Sequence, residues 1–427
     1  MWGMSASGSC SWRCLAAWVV CFLYAGALLS IGITKDWRLR HEDNGAVYST
    51  FALAHLRLGL AETRAHDFFY NPHTDEKTAY GHHPPGLGLV LAAVFKMVGS
   101  EAPWVARTVP ILFHLGSLAL LGRLLSLFLD RWSALLGGFL MATLPESAYF
   151  GRMVGYEPLG LFCVMLQLYT YSSYRLRGRR ASLVLLAAGV ILGGLVDWPP
   201  LYFSLGLCVI EFVGWLRGSR TGCAWLVLAA AGTIIVFFDL IHMAYACGSL
   251  ERLAAAVFNN PHVVGQTAVR PMKFVLTQAE VQRRFFTHAG LTCSMLTLLS
   301  LLGPALRVIP AEPRLLRELL GVCFGAGFAY LVSIAGYAMS HQYSQFYLLP
   351  TAIISMVLAW NALCSLRQRR PNYLLTFLAA LFVIDVAATS AVTLYYRHTH
   401  PEAYALRTTA HMRMHSLLPP YPSEKEH

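Results

Sequence analysis

Residues 14–34 read CLAAWVVCFLYAGALLSIGIT and carry no charged side chain. A helix needs about 20 mostly apolar residues to cross the hydrocarbon core of a bilayer, so this segment is predicted to span a membrane. Arg13 precedes the apolar run, as it would in a signal peptide. However, the run is long enough to span and no small-residue cleavage site follows it, so we interpret it as a retained first helix.

The same apolar character recurs along the whole chain. Of the 427 residues, 56% are hydrophobic and only 13% are charged, about half the charged fraction of a soluble domain. A chain of this composition needs lipid as part of its solvent. The fold class is therefore predicted to be an all-α polytopic membrane protein with about 11–12 transmembrane helices. The predicted spans are 14–34, 84–98, 104–129, 133–150, 159–174, 181–196, 199–216, 223–243, 289–306, 319–339, 346–364 and 373–394.

The arginines between the predicted spans indicate the orientation of the chain. Cytoplasmic loops of membrane proteins are enriched in Lys and Arg, and the net charge of +11 resides largely at the ends of apolar segments. No RNA- or DNA-binding signature accompanies this charge, which excludes nucleic acid as a partner. If all the clusters are cytoplasmic, the helices between them alternate correctly. The clusters are Arg175, Arg177, Arg179 and Arg180; Arg217 and Arg220; Arg307, Arg314 and Arg317; and Arg367, Arg369 and Arg370.

Strict alternation through twelve spans fails near the N-terminus. If the first helix exits and residues 35–83 lie outside, the cluster at Arg175 to Arg180 falls on the wrong side. One segment must then fail to cross fully, and 84–98 is the shortest. We expect it to be re-entrant or strongly tilted, because irregular insertion is tolerated where it lines a protein cavity.

The domain organisation follows from these spans. Residues 1–394 are predicted to form one transmembrane domain, and 395–427 a short C-terminal tail. Two outward segments, 35–83 and 244–288, are too long to be simple connectors. Both are amphipathic in parts, with apolar positions at helical spacing from Ala46 to Ala65, and both are expected to lie at the membrane surface.

Two adjacent carboxylates follow the first span, in His41-Glu42-Asp43-Asn44-Gly45. Acids at a membrane boundary are costly unless they are solvated, paired or used in function. Asp43 or Asn44 also suits the N-cap of the helix that follows. The two interpretations are compatible, since a carboxylate can cap a helix and still act as a base.

The same loop ends in Tyr80-Gly81-His82-His83-Pro84-Pro85-Gly86, which runs directly into an apolar helix. Proline in a first helical turn is ordinary helix-start chemistry. The two histidines before it can bind a phosphate, relay a proton or ligate a metal together with nearby carboxylates. The sequence leaves these three roles open.

A third acid, Glu157, follows Arg152 in a short outward segment between two spans. An ionisable residue at this depth is a functional candidate. A structural ion pair between Arg152 and Glu157 is the alternative.

Together, these stretches resemble the GT-C superfamily, and within it the family-39-like transferases, which include protein O-mannosyltransferases and the lipid A aminoarabinose transferase. In that family a Pro-Pro motif opens the second apolar segment, an arginine follows it, here Arg107, and an acid-Pro element comes later, here Glu157-Pro158. Where relatives carry an acidic or basic residue before Pro-Pro, this chain has His82 and His83. The motifs are HHPPG at 82–86, WVARTVP at 104–110, RMVGYEP at 152–158, and HQY at 341–343 leading to LLP at 348–350.

The resemblance implies an outward-facing enzyme that takes a sugar from a polyprenyl-phosphate carrier with inversion at the anomeric carbon. Its base is expected to be Asp43 or Glu42, with Asp43 favoured by the family's placement of an acid before a helix, and Glu157 is a further catalytic candidate. Donor-binding candidates are His82, His83, Arg107, Arg270, Lys273, Arg283, Arg284, His341 and Tyr343. Arg283 and Arg284 are equally consistent with snorkelling at a helix end. No cofactor is implied with certainty, and a divalent metal is compatible with the site.

The expected partners are a polyprenyl-phosphate-linked sugar, membrane lipids, and a protein, glycolipid or cell-wall acceptor. The expected location is the inner membrane of a bacterium or the ER membrane, with the site facing the periplasm, exterior or lumen. A transporter and a non-catalytic scaffold are the alternatives. A transporter usually places polar groups within its spans, whereas Asp197, Asp239 and Asp385 lie near predicted span ends or alone.

Overall fold

A computed structural model describes residues 12–37, 42–71, 76–218, 222, 224–258, 270–302, 314–369 and 373–399. The predicted tail beyond Thr399, the middle of the second long loop and parts of three arginine clusters lie outside these residues. The first half comprises α1 (Trp12–Leu29), α2 (Asp43–Leu58), β1 (Phe68–Asn71), β2 (Glu76–Ala79), α3 (Gly86–Val98), α4 (Pro103–Leu125), α5 (Arg131–Thr143), α6 (Pro145–Phe150), α7 (Tyr156–Arg177) and α8 (Arg180–Val196). The second half comprises α9 (Pro199–Leu216), α10 (Ala224–Cys247), α11 (Leu250–Phe258), α12 (Pro271–Phe285), α13 (Thr287–Leu302), α14 (Arg314–Ser333), α15 (Ala335–Ala338), a 3-10 helix (Gln342–Leu348), α16 (Leu349–Arg369) and α17 (Tyr373–Thr399).

The helical, multi-pass architecture predicted from composition is confirmed. Within the described residues, seven helical segments are long and apolar enough to cross a membrane. They are α1, α4, α9, α10, α14, the 3-10 helix together with α16, and α17. The remaining predicted spans correspond to helices that are shorter or more polar, namely α3, α5, α7, α8 and α13.

The bundle has a basic end and an opposite end that carries the candidate site. Helix α7 begins at Tyr156 and ends with Arg175 and Arg177, and α8 then returns from Arg180 towards Asp197. Hydrogen bonds between other helices show which of their ends lie at the basic end and which at the site end. At the basic end, Ser133 at the start of α5 bonds Asn361 of α16 at 3.0 Å. At the site end, the hydroxyl groups of Tyr202, early in α9, and Ser333, the last residue of α14, are also 3.0 Å apart.

Helix α3 begins and is followed by α4 at the site end, so it does not cross the bundle. Its 13 residues span about 20 Å, less than the roughly 30 Å of a hydrocarbon core. A Cβ on Gly86, its first residue, would lie 2.3 Å from the Leu195 carbonyl near the C-terminal end of α8. Early in α4, Arg107 pairs with Glu42. This geometry agrees with the expectation that 84–98 fails to cross fully.

The first outward segment folds as a subdomain with its own apolar core. Helix α2 packs on α3, and their buried side chains join the starts of α4 and α7. Strands β1 and β2 form a two-stranded antiparallel hairpin, in which Phe68 pairs with Ala79. The sequence predicted no strand here. Helix α2 ends at Leu58, short of the predicted Ala65, because Gly59 leaves helical geometry at φ 86°.

The last helix extends past the predicted domain boundary at residue 394. Helix α17 continues to Thr399, and Arg397 in its last turn is buried. The Arg397 guanidinium lies 5.1 Å from the centre of the Phe285 ring and donates to the Gln342 side chain. The first residues assigned to the tail therefore pack against α12 and the 3-10 helix.

Candidate active site

Glu42 is held by two buried arginines. Its carboxylate lies 3.2 Å from the Arg107 guanidinium and 2.8 Å from that of Arg152. Side-chain exposure is 11% for Glu42, 1% for Arg107 and 4% for Arg152. Arg152 therefore pairs with Glu42 rather than with Glu157, the partner suggested as a structural alternative from sequence. The Glu42 carboxylate thus joins the start of α2 to α4 and to the segment before α7.

Arg107 is engaged on all sides by protein groups. Besides Glu42, its guanidinium donates to the carbonyl oxygens of Ile33 and Lys35 and lies 4.2 Å from the centre of the Trp37 ring. These contacts join α4 to the chain that leaves α1. Arg107 was expected to bind the donor phosphate. In the structure its contacts join α4 to the start of α2 and to the segment after α1.

Asp43 is the first residue of α2, directly after Glu42. Its Oδ1 atom is buried and has no hydrogen-bond partner among the described residues. The next side chain, Asn44, hydrogen-bonds the hydroxyl of Tyr343 in the 3-10 helix. The start of α2 therefore lies against the HQY motif at 341–343. One carboxylate oxygen of Asp43 has no partner among the described residues.

Glu157 lies in the first turn of α7 and is 7% exposed. Its Oε2 atom has no hydrogen-bond partner in the described part of the chain, and a Cβ on Gly155 would lie 2.5 Å from it. Electrostatic interactions link this carboxylate to Asp197 and to Tyr343. Asp43 and Glu157 are thus the two predicted acids that each have a buried oxygen atom without a partner among the described residues.

The turn that carries the two histidines is held in place by close backbone packing. Gly86 lies against the end of α8, and a Cβ on Gly88 would be 2.0 Å from the Asp67 carboxylate. Both positions exclude a larger side chain, which accounts for the glycines of the PPGLG segment at 84–88. The start of α3 is thereby pressed between α8 and the segment before β1.

His83 is paired with Asp197, the residue that follows α8. The His83 Nδ1 and Asp197 Oδ1 atoms are 2.9 Å apart, and the imidazole stacks on the Tyr156 ring with centroids 4.3 Å apart. The Tyr347 hydroxyl donates to the other Asp197 oxygen at 2.8 Å. The indole N–H of Trp198 donates to the His82 carbonyl at 2.7 Å. Both predicted histidines are therefore held by the segment between α8 and α9.

A second buried histidine–carboxylate pair supports Tyr156 from the other side. The Tyr156 hydroxyl donates to Asp67 at 3.3 Å, and the His55 Nε2 atom lies 3.0 Å from the same carboxylate. Burial raises the pKa of Asp67, and the hydrogen bond from His55 opposes this shift. The network fixes the ring on which His83 stacks.

His341 and Tyr343 meet at the start of the 3-10 helix. The His341 ring stacks on Tyr337 with centroids 3.6 Å apart, and the hydroxyl groups of Tyr337 and Tyr343 are hydrogen-bonded. Tyr343 is 2% exposed. These aromatic side chains form one wall beside Asn44 and Glu157.

The three predicted arginines of the second long loop have different surroundings. Arg270 is exposed before α12. Arg283 and Arg284 both bond Glu280 at 2.7 Å, and their side chains are 43% and 55% exposed. These hydrogen bonds lower the pKa of Glu280 to about 2. The contacts described for Arg283 and Arg284 are with the end of α12 and its neighbours, whereas those for Glu42, Asp43 and Glu157 are with α2, α4, α7 and the 3-10 helix.

Sequence reasoning missed several polar residues that the fold brings to this region. Asp67 and Glu146 are fully buried, and Arg397 acts electrostatically on Glu146. One available signal was the Asp197-Trp198-Pro199-Pro200 segment, which repeats the polar-then-Pro-Pro pattern of 82–85. Within the described part of the chain, no three His, Cys, Asp or Glu side chains form a group that could hold a metal ion.

Residues 82–241 match the family model of dolichyl-phosphate-mannose-protein mannosyltransferases. The matched region begins at His82 and includes Arg107, Glu157 and Asp197. No curated protein matches the chain by sequence.

Solved structures share the fold at low sequence identity. The structure of ArnT from Cupriavidus metallidurans bound to undecaprenyl phosphate superposes with a TM-score of 0.56 at 13% identity, over 96% of this chain and 76% of that one. An Archaeoglobus fulgidus oligosaccharyltransferase tethered to an acceptor peptide gives a TM-score of 0.57 at 13% identity, over 96% of this chain and 60% of that one. The chain thus spans about 60% of the length of the archaeal enzyme. At this identity the similarity establishes the fold.

Proposed function

The chain has the fold of the GT-C glycosyltransferases, and from this premise we propose that it transfers a sugar from a polyprenyl-phosphate donor to an acceptor on the non-cytoplasmic side of its membrane. The donor class is supported by two observations. The matching family model is that of dolichyl-phosphate-mannose-protein mannosyltransferases, and the similar ArnT structure holds undecaprenyl phosphate.

One observation carries the mechanism: two adjacent acids at the start of α2 have different surroundings. The Glu42 carboxylate is engaged by Arg107 and Arg152. Asp43 keeps a buried oxygen for which the described residues supply no partner. A general base must lie within hydrogen-bond reach of the proton that it accepts. We therefore assign the base to Asp43.

The proposed reaction is a single displacement at the anomeric carbon. The acceptor oxygen or nitrogen forms a bond to that carbon, and its proton passes to Asp43. The bond from the anomeric carbon to the phosphate oxygen breaks, and its electron pair leaves with the polyprenyl phosphate. Attack opposite the leaving group inverts the configuration. Glu157, whose Oε2 atom has no partner among the described residues, is proposed to bind the acceptor or sugar beside Tyr343.

The departing phosphate gains negative charge and needs hydrogen-bond donors or cations. His82 and His83 are the candidates nearest this acidic region by their contacts. His83 is 20% exposed and its described hydrogen bond uses Nδ1, which leaves Nε2 for a ligand. Arg107 is occupied by protein groups, so the donor-binding role is proposed for the histidines.

Sidedness is proposed from the two ends of the bundle. Arg175, Arg177 and Arg180 lie at the end of α7 and α8 opposite to Glu157 and Asp197. By the positive-inside rule the basic end is cytoplasmic, and the site then faces the periplasm, exterior or lumen. The acceptor is a protein, glycolipid or cell-wall polymer presented there.

The test is release of undecaprenyl phosphate by purified protein supplied with undecaprenyl-phosphate-linked mannose and, separately, aminoarabinose. Asp43→Asn is expected to lower turnover by about 100-fold or more, the usual size of a lost general base. Glu101→Gln, at a partly exposed acid between α3 and α4, is the matched control and should retain turnover. Full activity of Asp43→Asn would refute the base assignment. Absence of turnover in the unmodified protein with every acceptor class would favour a transporter or scaffold.

A further inference from the structure

Asp197 is a buried carboxylate to which the proposed mechanism assigns no role. It is 1% exposed and is the first of the two residues between α8, which ends at Val196, and α9, which begins at Pro199. Three donors converge on it: the His83 ring nitrogen at 2.9 Å, the Trp198 backbone N–H at 2.8 Å and the Tyr347 hydroxyl at 2.8 Å. These contacts join Asp197 to the histidine turn, the start of α9 and the 3-10 helix.

The partners of Asp197 define how His83 is presented. The carboxylate occupies Nδ1, and the Tyr156 ring, stacked at an interplanar angle of 13°, fixes the plane of the imidazole. Asp197 accepts from the Nδ1–H group of His83, which fixes the orientation of the ring. Nε2 donates to a phosphate oxygen when the ring carries a proton on both nitrogens. Trp198 adds a backbone restraint one residue earlier, at the His82 carbonyl.

We propose that Asp197 is a positioning residue for the donor phosphate: it accepts a hydrogen bond from Nδ1 and so orients the His83 ring for Nε2 of the imidazolium to donate to the phosphate oxygens. This inference rests on the proposed function and extends it by one residue from a different part of the chain. A purely structural role for Asp197 would predict lost stability without a specific effect on phosphate binding.

The experiment measures binding of three lipids to the purified protein in nanodiscs. Undecaprenyl phosphate tests the phosphate, undecaprenol lacks it, and phosphatidic acid carries the same group on a glycerolipid. The variants are Asp197→Asn and His83→Gln, singly and together. Asp239→Asn is the matched control, because Asp239 is also a 1% exposed aspartate, lies in α10, and has carboxylate oxygens without a partner among the described residues.

Asp197→Asn is expected to weaken binding of undecaprenyl phosphate about tenfold, the scale of one charge-assisted hydrogen bond, and to leave undecaprenol binding unchanged. His83→Gln should give the same selective loss, and the double variant no more than either single variant, because the two residues act as one unit. Asp239→Asn should bind like the unmodified protein. His83 is partly exposed, so its variant tests the interaction even if Asp197→Asn fails to fold.

Different outcomes would reject different parts of this account. If the unmodified protein prefers undecaprenyl phosphate but both variants bind it equally well, Asp197 has no role in presenting His83, while the proposed transferase stands. Equal affinity of the unmodified protein for undecaprenyl phosphate and undecaprenol would reject a phosphate site and the proposed donor together. Binding of phosphatidic acid that matches undecaprenyl phosphate and depends on Asp197 would overturn the donor assignment in favour of bilayer phosphates.

Discussion

Glu42 and Asp43 are adjacent in sequence, yet the fold gives them opposite chemistry. The carboxylate of Glu42 pairs with two guanidinium groups that are almost fully buried. Asp43 starts the helix and keeps a buried oxygen without a described partner. A residue that holds the site together and the residue proposed as base are therefore neighbours in sequence.

This contrast predicts different stability effects for two similar substitutions. Glu42→Gln leaves Arg107 and Arg152 buried without a full counter-charge, and breaking a buried ion pair costs about 3–5 kcal/mol. Asp43→Asn removes no described hydrogen bond and should leave the thermal midpoint nearly unchanged. Thermal unfolding of both variants in detergent measures the difference. Equal midpoints for the two variants would contradict the assigned roles.

His66 predicts how stability depends on pH. Burial lowers its pKa from 6.5 to about 4, so the unfolded chain binds a proton at a pH where the folded chain does not. The free energy of unfolding therefore falls as the pH decreases from about 6.5 to about 4, by about 3 kcal/mol for this group. His66→Gln should reduce the loss of thermal stability in this interval. If the variant loses as much thermal stability in acid as the unmodified protein, the lowered pKa of His66 is contradicted.

At the scale of elements, the fold depends on where helices begin and end. Gly86→Ala would place a Cβ 2.3 Å from a backbone oxygen of α8, so the turn carrying His82 and His83 must shift. We expect a larger decrease in turnover than the shift in thermal midpoint alone would explain. A displacement of about 1 Å near a reacting group can cost 100-fold in rate. Turnover and thermal midpoint are measured together.

Gly26→Ala is the control for that substitution. Gly26 lies in α1, and a Cβ there meets no described atom within 4 Å. Alanine should be neutral or slightly stabilising at that position, because it favours the helix over glycine. Unchanged turnover in Gly86→Ala would show that the packing of α3 on α8 does not position the histidines.

The positions of the predicted site residues on these elements were largely evident from sequence. Acids and histidines at the boundaries of apolar runs cost free energy unless they are solvated, paired or functional. This argument selected Glu42, Asp43, His83 and Glu157 as candidates. Their partners were not predictable, because Arg152 pairs with Glu42 across 110 positions and Asp197 with His83 across 114. Such pairings depend on helix packing rather than on local pattern. The hairpin was missed for a related reason: two four-residue strands, β1 and β2, carry too little periodicity to be distinguished from loop.

At the scale of the whole molecule, the distribution of charge and the direction of the helices agree. Described arginines at helix ends, such as Arg131, Arg177, Arg180 and Arg314, lie at one end of the bundle, and Glu157 and Asp197 lie at the other. The short α3 does not cross the bundle, so the chain enters α4 at the same end of the bundle at which it entered α3. Hydropathy alone predicted most of this arrangement, and the need for correct alternation indicated which segment does not cross.

The central claim is that the start of α2, the histidine turn and Glu157 form one site on the non-cytoplasmic side. Cysteine labelling with a membrane-impermeant maleimide tests it directly, in a background in which the native cysteines are replaced by serine. Thr78→Cys reports on the exposed hairpin of the site end, and Arg179→Cys reports on the exposed turn between α7 and α8. We predict that residue 78 is labelled in intact cells and residue 179 only after permeabilisation. Labelling of residue 179 from outside, with residue 78 protected until permeabilisation, would place the site in the cytoplasm and contradict the account.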